Sequence, residues 1–235
     1  MKVLIACEYS GRVRDAFIAR GHDAMSCDIL PTDQPGPHYQ GDVMDIIEDG
    51  WDLMIAHPPC TYLTGAAEWA YGDGPYHQKV KDGTLIGAAR REAREDALAF
   101  VAALWNSGIP KIAIENPVGV INKRLPFMPK PQYIQQYDFG EDASKKTGLW
   151  LKNLPKLFPT GFVKPRMVCG CGYSFEYDLG AYGCVNCCGD HGPASERWGN
   201  QTDSGQNRLS PGSDRWKIRS TTPLGIAKAM AEQWG

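Results

Sequence analysis

Lys2-Val3-Leu4-Ile5-Ala6 is a short run of apolar, mostly branched residues that stops at Cys7-Glu8-Tyr9-Ser10-Gly11. Residues 12–20 then carry apolar and charged positions at helical spacing, so the stretch reads as strand, glycine-containing turn and helix. The same phrase returns along the chain. Gly21 ends the helix, and residues 22–27 make a second strand with Asp28 at its tip. A proline-rich loop leads through Gln40-Gly41-Asp42 into a short helix, and residues 51–56 form a strand that ends in His57-Pro58-Pro59-Cys60. Residues 61–83 show little periodicity. Residues 85–105 are strongly helical, with Ile86, Ala89, Ala93, Ala97, Phe100, Val101 and Leu104 at apolar positions and charges between them. Gly108 closes that helix, and the strand at 111–114 ends in Glu115-Asn116-Pro117.

Strands alternating with helices over short links predict an α/β fold: a doubly wound, mainly parallel sheet whose ligands bind beyond the carboxyl ends of its strands. Cys7-Glu8, Asp28, Asp42, His57 to Cys60, and Glu115 each follow a candidate strand. One of them alone would be a turn residue, whereas five bring reactive groups to one edge. After Pro131 the pattern changes to extended pieces at 133–139 and 147–151, a cysteine-rich stretch, and a polar stretch at 192–213. These predict a small β-rich insertion at 131–213 between the two parts of the main domain, 1–130 and 214–235. Residues 222–234 read as an amphipathic helix that returns to the sheet.

The composition of the 235 residues, 43% hydrophobic and 22% charged with net charge -2, is that of a soluble globular chain with one sizeable core. No stretch approaches the roughly 18 apolar residues of a membrane span, and the opening run is too short for a secretory signal, so a cytoplasmic protein with no membrane partner is expected. Charge is uneven. Residues 1–140 hold 13 Lys and Arg against 18 Asp and Glu, residues 141–235 hold 12 against 9, and the halves carry -5 and +3. Lys145, Lys146, Lys152, Lys156, Lys164 and Arg166 are the only charged residues between Asp142 and Glu176, interleaved with Trp150, Phe158 and Phe162. The cluster is either a solvated face or a surface for a polyanion.

Of the 8 cysteines, Cys169, Cys171, Cys184, Cys187 and Cys188 fall within twenty residues. In a cytoplasmic chain, Cys169-x-Cys171 followed by Cys184-x-x-Cys187 reads as a four-thiolate zinc knuckle, because two close pairs on opposing turns converge on one tetrahedral ion. Cys188 and His191 are alternative ligands. Cys60 belongs to a different population. Two prolines stiffen the backbone before it, and a thiol held at a strand end is a candidate nucleophile. A thiolate that attacks an electron-poor ring needs an acid at the ring nitrogen where charge collects, and Glu115 ends the neighbouring strand.

These residues resemble the DNA (cytosine-5) methyltransferases, and most nearly the short members encoded by phages and prophages. That family pairs a Pro-Pro-Cys nucleophile with a Glu-Asn-Val motif on the next strand, and Pro58-Pro59-Cys60 and Glu115-Asn116 match. The resemblance covers residues 1–125 and about 215–235, and it makes the main domain catalytic and the insertion the place for target recognition. It implies S-adenosylmethionine as cofactor, held by the turn Cys7, Glu8, Tyr9, Ser10 and Gly11, by Asp28 at the ribose and Asp42 at the adenine, and by His57 and Pro58. Thr222-Pro223 and residues 226–231 look like the closing motif of the family. One glycine remains in the cofactor turn, Pro117 stands in place of Val, Thr61 in place of Gln, and Gln135, Gln136, Lys145 and Lys146 stand where Gln-x-Arg-x-Arg is expected.

The implied reaction is methyl transfer to carbon 5 of a cytosine taken out of the DNA stack. Cys60 adds to carbon 6, Glu115 serves ring nitrogen 3, Asn116 fixes the turn, and residues 62–76 form a loop over the base with Gly65, Gly72 and Gly74 as flexible points. Lys145, Lys146, Lys152, Lys164 and Arg166 are the expected DNA contacts. Two other readings stand beside this one: the same chemistry on a free pyrimidine nucleotide or with another one-carbon donor, and a catalytically silent nucleic-acid-binding protein. A phage-encoded chain would work in the host's cytoplasm.

Overall fold

The computed structural model describes residues 1–77, 79–177, 184, 186, 194–210, 212 and 214–235. Its central sheet contains β1 (Lys2–Ala6), β2 (Asp23–Asp28), β3 (His38–Gln40), β4 (Leu53–Ala56), β5 (Lys111–Pro117), β6 (Gln132–Ile134) and β7 (Thr147–Lys152), in the order β3-β2-β1-β4-β5-β7-β6. The first five strands pair in parallel, and β7 runs antiparallel to both β5 and β6. The fold is therefore the mainly parallel α/β sheet expected. Strand order turns back between β1 and β4, and such a switch leaves a crevice beyond the carboxyl ends.

β1 and β4 read as unbroken apolar runs because both faces of the sheet are covered. On one face Leu4, Ala6, Met54, Ala56, Ile112 and Ile114 pack against Leu98, Val101, Leu104 and Trp105 of α2 (Gly87–Asn106). On the other, Val3, Ile5, Leu53, Ile55 and Ala113 meet Val13 and Phe17 of α1 (Arg12–Ile18) and Ile226, Met230 and Trp234 of α5 (Leu224–Trp234). α5 starts hard against the chain. A Cβ on Gly225 would lie 1.7 Å from the Phe139 carbonyl oxygen, so only glycine lets the helix approach this closely.

Two features depart from the sequence reading. β6 and β7, expected inside the insertion, complete the main sheet instead, because β7 is buried from Thr147 to Trp150 and pairs with β5 from Ile112 to Pro117. Beyond them, β8 (Arg166–Val168), β9 (Ser174–Glu176) and β10 (Ser195–Arg197) form a separate antiparallel sheet in the order β10-β8-β9. It is anchored where Trp198 stacks on Tyr137 at 4.2 Å and Phe162 meets the Tyr137 edge. The second departure is β3, along with the short helices α3 (Ile121–Arg124) and α4 (Arg215–Ser220), which no local periodicity announces. β3 exists because Arg14 organises the loop before it. The Arg14 side chain is fully buried and donates to Ser26 Oγ, Thr32 Oγ1, the carbonyls of Gln34 and Pro35, and Asp15 Oδ1. Among the described residues no helix is long and apolar enough to cross a membrane.

Candidate active site

The turn after β1 is held largely by its own side chains. Cys7 adopts φ 58 and Gly11 φ 73. The buried Glu8 carboxylate accepts from Ser10 Oγ at 3.0 Å and from the N–H groups of Val13 at 2.8 Å and Arg14 at 3.3 Å, so it caps the positive end of α1. Tyr9 donates its hydroxyl to the Lys217 carbonyl at 3.0 Å, and its ring lies against Trp216, tying the turn to α4. A Cβ on Gly11 would lie 2.4 Å from Arg14 Nη2, which with its positive φ gives this glycine a structural cause. Burial pushes the Cys7 thiol well above its usual range, helped by the charges of Asp28, Cys27 and Asp42.

Asp28 ends β2 half-buried. Burial raises its carboxyl above the usual range, although its Oδ1 accepts the Leu30 N–H at 2.9 Å. Asp42 accepts the Met44 N–H at 3.0 Å and caps a short 3-10 turn at Val43–Asp45, and Gly41 N–H donates to the Asp28 carbonyl. Two carboxylates thus stand near one another at the tips of β2 and β3, beside the crevice.

Parallel pairing of β4 with β5 matches Ala56 to Ile114, so the residues that follow, His57 and Glu115, meet side by side. His57 Nδ1 lies 3.2 Å from Glu115 Oε2. Burial would raise the Glu115 carboxyl, but the hydrogen bond and charge of His57, the charge of Lys145 and a hydrogen bond from Thr147 outweigh it and hold it below the usual carboxylate range. Glu115 is therefore ionised in the free protein at neutral pH. One residue on, Asn116 Nδ2 donates to the Pro58 carbonyl at 2.8 Å in a fully enclosed setting, pinning the Pro-Pro-Cys turn to the end of β5. The Cys60 thiol is exposed, and its carbonyl accepts from the N–H groups of Leu63 and Thr64.

The segment after Cys60 is fastened rather than open. Arg94 donates to the Tyr62 carbonyl at 2.9 Å, pairs with Glu68 at 2.7 Å and lies 3.4 Å over the Tyr71 ring. Arg90 stacks on the same ring from the adjacent turn of α2. Leu63 and Ala70 are buried, and Val120 N–H donates to the Leu63 carbonyl at 2.8 Å. A Cβ on Gly119 would lie 1.9 Å from that carbonyl oxygen. Gly65 is thus bracketed by fixed points, while beyond Tyr71 the chain is held at Gly72 by the Tyr76 hydroxyl and at Asp73 by Arg91.

A narrow slot beside Glu115 is lined by Gln136, Lys145, Thr147, Thr222, Pro223 and Ile226, which joins the start of β7 to the start of α5. Lys145 Nζ donates to the Arg219 carbonyl at 3.0 Å, and Lys146 sits 4.6 Å over the Tyr133 ring. Lys152 is elsewhere. It pairs with Ile112 at the far end of β7 and donates to the Trp105 carbonyl, about 16 Å of strand away from Thr147. The expected basic surface is therefore divided, with Lys152 on the edge opposite the site. Lys164 and Arg166 line a separate cavity of about 510 Å³ with Arg197, Arg208, Tyr177 and the carboxylates of Asp142 and Glu176, and Arg166 also pairs with Asp203 at 2.9 Å.

The sulfur atoms of Cys169, Cys171 and Cys184 all lie within 4.8 Å of one another. Cys171 and Cys184 are 3.6 Å apart, and the Cys171 thiol is brought down to about 6 by the Tyr173 backbone N–H and by Asn186. Cys187, Cys188 and His191 lie outside the described residues.

What sequence reasoning missed are the partners of Glu115. The sequence places His57 among cofactor residues, and Lys145 both among phosphate contacts and in place of the Gln-x-Arg-x-Arg motif; the parallel register of β4 and β5 is the signal that brings His57 to Glu115.

No family model and no curated relative matches the chain. Solved structures are similar to it at low identity. An E. coli prophage-encoded protein assigned as a DNA modification methyltransferase is 16% identical with TM-score 0.40, over 68% of this chain and 51% of that one. A triple mutant of DNMT2 from Spodoptera frugiperda is 14% identical with TM-score 0.37, over 68% and 54%. The S. pombe Dnmt2 methyltransferase is 16% identical with TM-score 0.36, over 66% and 50%. The chain spans about half the length of these structures.

Proposed function

We propose that the protein transfers a methyl group from S-adenosylmethionine to carbon 5 of cytosine in DNA through a covalent Cys60 adduct. The observation that carries this reading is the adjacency of an exposed thiol turn and an ionised carboxylate on the carboxyl edge of the sheet, with the Asn116 amide locking one to the other. A thiolate and a carboxylate so placed suit addition to a ring carbon with charge collected at a ring nitrogen.

Asp28 and Asp42 fit a ligand that presents hydroxyl and amino donors, since both are acceptors beside the crevice. S-adenosylmethionine, when bound, supplies a methyl group on a positively charged sulfur. Cys60 forms the bond to ring carbon 6, Glu115 manages the proton at ring nitrogen 3, and the fastened segment 62–71 keeps water from the face of the ring. Lys146 near the site edge and the cavity lined by Lys164 and Arg166 are the proposed phosphate contacts, which position a strand without reading its bases.

The test is incubation with methyl-labelled S-adenosylmethionine and either DNA or free deoxycytidine monophosphate, followed by nucleoside analysis. Labelled 5-methylcytosine in the DNA is the expected result. Label in the nucleotide alone overturns DNA as substrate, and no transfer overturns the reaction. Glu115→Gln should retain the fold while slowing transfer roughly 10²- to 10⁴-fold, as for a lost general acid. A near-normal rate removes Glu115 from the mechanism.

Cys169, Cys171 and Cys184 fit a zinc ion by donor type and by the closeness of their sulfurs, and Cys187 is the proposed fourth ligand of a structural site. Elemental analysis should find about one zinc per chain, in keeping with one tetrahedral site. Cys171→Ser should lose the metal and leave β8 and β9 more open to proteolysis. Metal retained in Cys187→Ser would move the fourth ligand to Cys188 or His191.

A further inference from the structure

His57 has a ring nitrogen to spare. Its side chain is only 8% exposed, Nδ1 faces Glu115 Oε2 at 3.2 Å, and Nε2 is buried with no hydrogen-bond partner among the described residues. A histidine that serves only to brace a carboxylate is ordinarily fixed through its second nitrogen, because an unpaired buried polar atom costs about 1–3 kcal/mol. Here that cost is carried beside the one carboxylate proposed to handle a proton.

The titratable and charged groups on the elements around the pair are few. Lys145 precedes β7 and is engaged with the Arg219 carbonyl. Cys7 and Glu8 follow Ala6, whose carbonyl accepts the His57 N–H at 2.9 Å. Cys7 is held as the thiol, and Glu8 is spent on capping α1. Cys60 stands three residues along in the same turn. None of these bonds the imidazole among the described residues, and Lys145 and Thr147 act on the Glu115 side of the pair.

We propose that His57 is the proton reservoir of Glu115, lending through Nδ1 the proton that Glu115 delivers to ring nitrogen 3. The proposal rests on the methyl-transfer reading above. As the Cys60 sulfur bonds to carbon 6, the carbon 5–carbon 6 π pair moves between carbons 4 and 5, and the carbon 4–nitrogen 3 π pair moves onto nitrogen 3. The His57 imidazolium passes its Nδ1 proton to the ionised Glu115 and becomes neutral, and nitrogen 3 takes that proton from the Glu115 carboxyl, which leaves Glu115 ionised again. The carbon 4–carbon 5 pair next takes up the methyl group that a bound S-adenosylmethionine would supply, and the nitrogen 3 pair re-forms the bond to carbon 4. Carbon 5 then loses its proton to water, the freed pair makes the carbon 5–carbon 6 bond as the carbon 6–sulfur bond breaks onto Cys60, and nitrogen 3 returns its proton through Glu115 to His57. The loan is closed with no net proton taken from the pair. An ionised Glu115 cannot supply that proton unaided, and imidazole is the side chain that exchanges protons near neutral pH.

His57→Asn keeps an amide donor for Glu115 but removes the exchangeable charge. The rate of adduct formation with DNA containing 5-fluorocytosine should fall about 10²-fold at the wild-type optimum, the low end for a lost general acid. The alkaline fall of the rate should also move to lower pH, where Glu115 itself must take up the proton. A uniform loss with the wild-type pH profile would mean that His57 only braces Glu115, and would overturn the proposal. A wild-type protein that forms no adduct overturns the methyl-transfer reading and this proposal with it. Nitrogen-15 NMR of the unsubstituted His57 ring needs no variant to fold: Nδ1 should carry a proton toward Glu115, and a bare Nδ1 across the neutral range overturns the relay.

Discussion

Cys60→Ala is expected to eliminate the covalent complex with 5-fluorocytosine DNA altogether, with no slow residual reaction. Fluorine at carbon 5 cannot leave as a proton, so the thioether stays trapped wherever it forms and gel electrophoresis reads it directly. Of the other thiols among the described residues, none is both lowered in pKa and placed at the carboxyl edge of the main sheet. Cys7 and Cys27 are enclosed and pushed up by burial, and Cys169, Cys171 and Cys184 converge on one another in the separate small sheet region. The substitution should leave the fold intact, because the Cys60 side chain is exposed and only its backbone carbonyl is bonded, to Leu63 and Thr64. An adduct that survives in Cys60→Ala would remove Cys60 as nucleophile.

Arg14→Ala should be the most damaging single change to stability. Five hydrogen bonds leave one fully buried guanidinium, three of them to Thr32, Gln34 and Pro35 of the loop that joins β2 to β3, one to Ser26 of β2 and one to Asp15 of α1. Its removal strands the Pro35 carbonyl and weakens the environment of Ser26, Thr32 and Gln34, while the side-chain stem leaves a void beneath Gly11 and Gly36. Buried acceptors left unpaired cost about 1–3 kcal/mol each, so a loss of about 3 kcal/mol or more is expected against a total of about 5–15. Arg14→Lys should recover little, since one ammonium cannot span acceptors set out for a planar fork. Urea unfolding of the two variants measures this. A change under about 1 kcal/mol would show that water replaces the guanidinium, as a surface arginine allows.

The parallel part of the sheet was legible because its strands are short apolar runs closed by turn residues, as in 2–6 and 53–56, and because α2 carries a clear period. The edge of the sheet was not. Thr147-Gly148-Leu149-Trp150 has the length and composition of many extended segments, and only pairing with a strand thirty residues earlier assigns it to the main sheet. The proposed chemistry was visible as two motifs, Pro58-Pro59-Cys60 and Glu115-Asn116, while the geometry between them was not. Register placed the imidazole against the carboxylate, and the Asn116 amide, expected to hold its own turn, reaches across to Pro58 instead. Of the expected basic surface, Lys152 is separated because a strand of six residues spans the whole depth of the sheet.

The packing of α1 against α5 sets a schedule for synthesis. Val3 and Ile5 on this face of the sheet, with Val13 and Phe17 of α1, pack against Ile226, Met230 and Trp234, and Tyr9 is bonded to Thr221 across 212 positions of sequence. At about 5–20 residues per second, a ribosome needs roughly 10 to 40 s to travel between them. Once α2 has been made and until α5 emerges, one side of the nascent sheet is finished and the other is covered only in part, by α1. A holding chaperone that favours exposed branched side chains should therefore engage the first strands of this chain and let go when the residues from 224 onward emerge, which makes the yield of folded protein depend on translation speed.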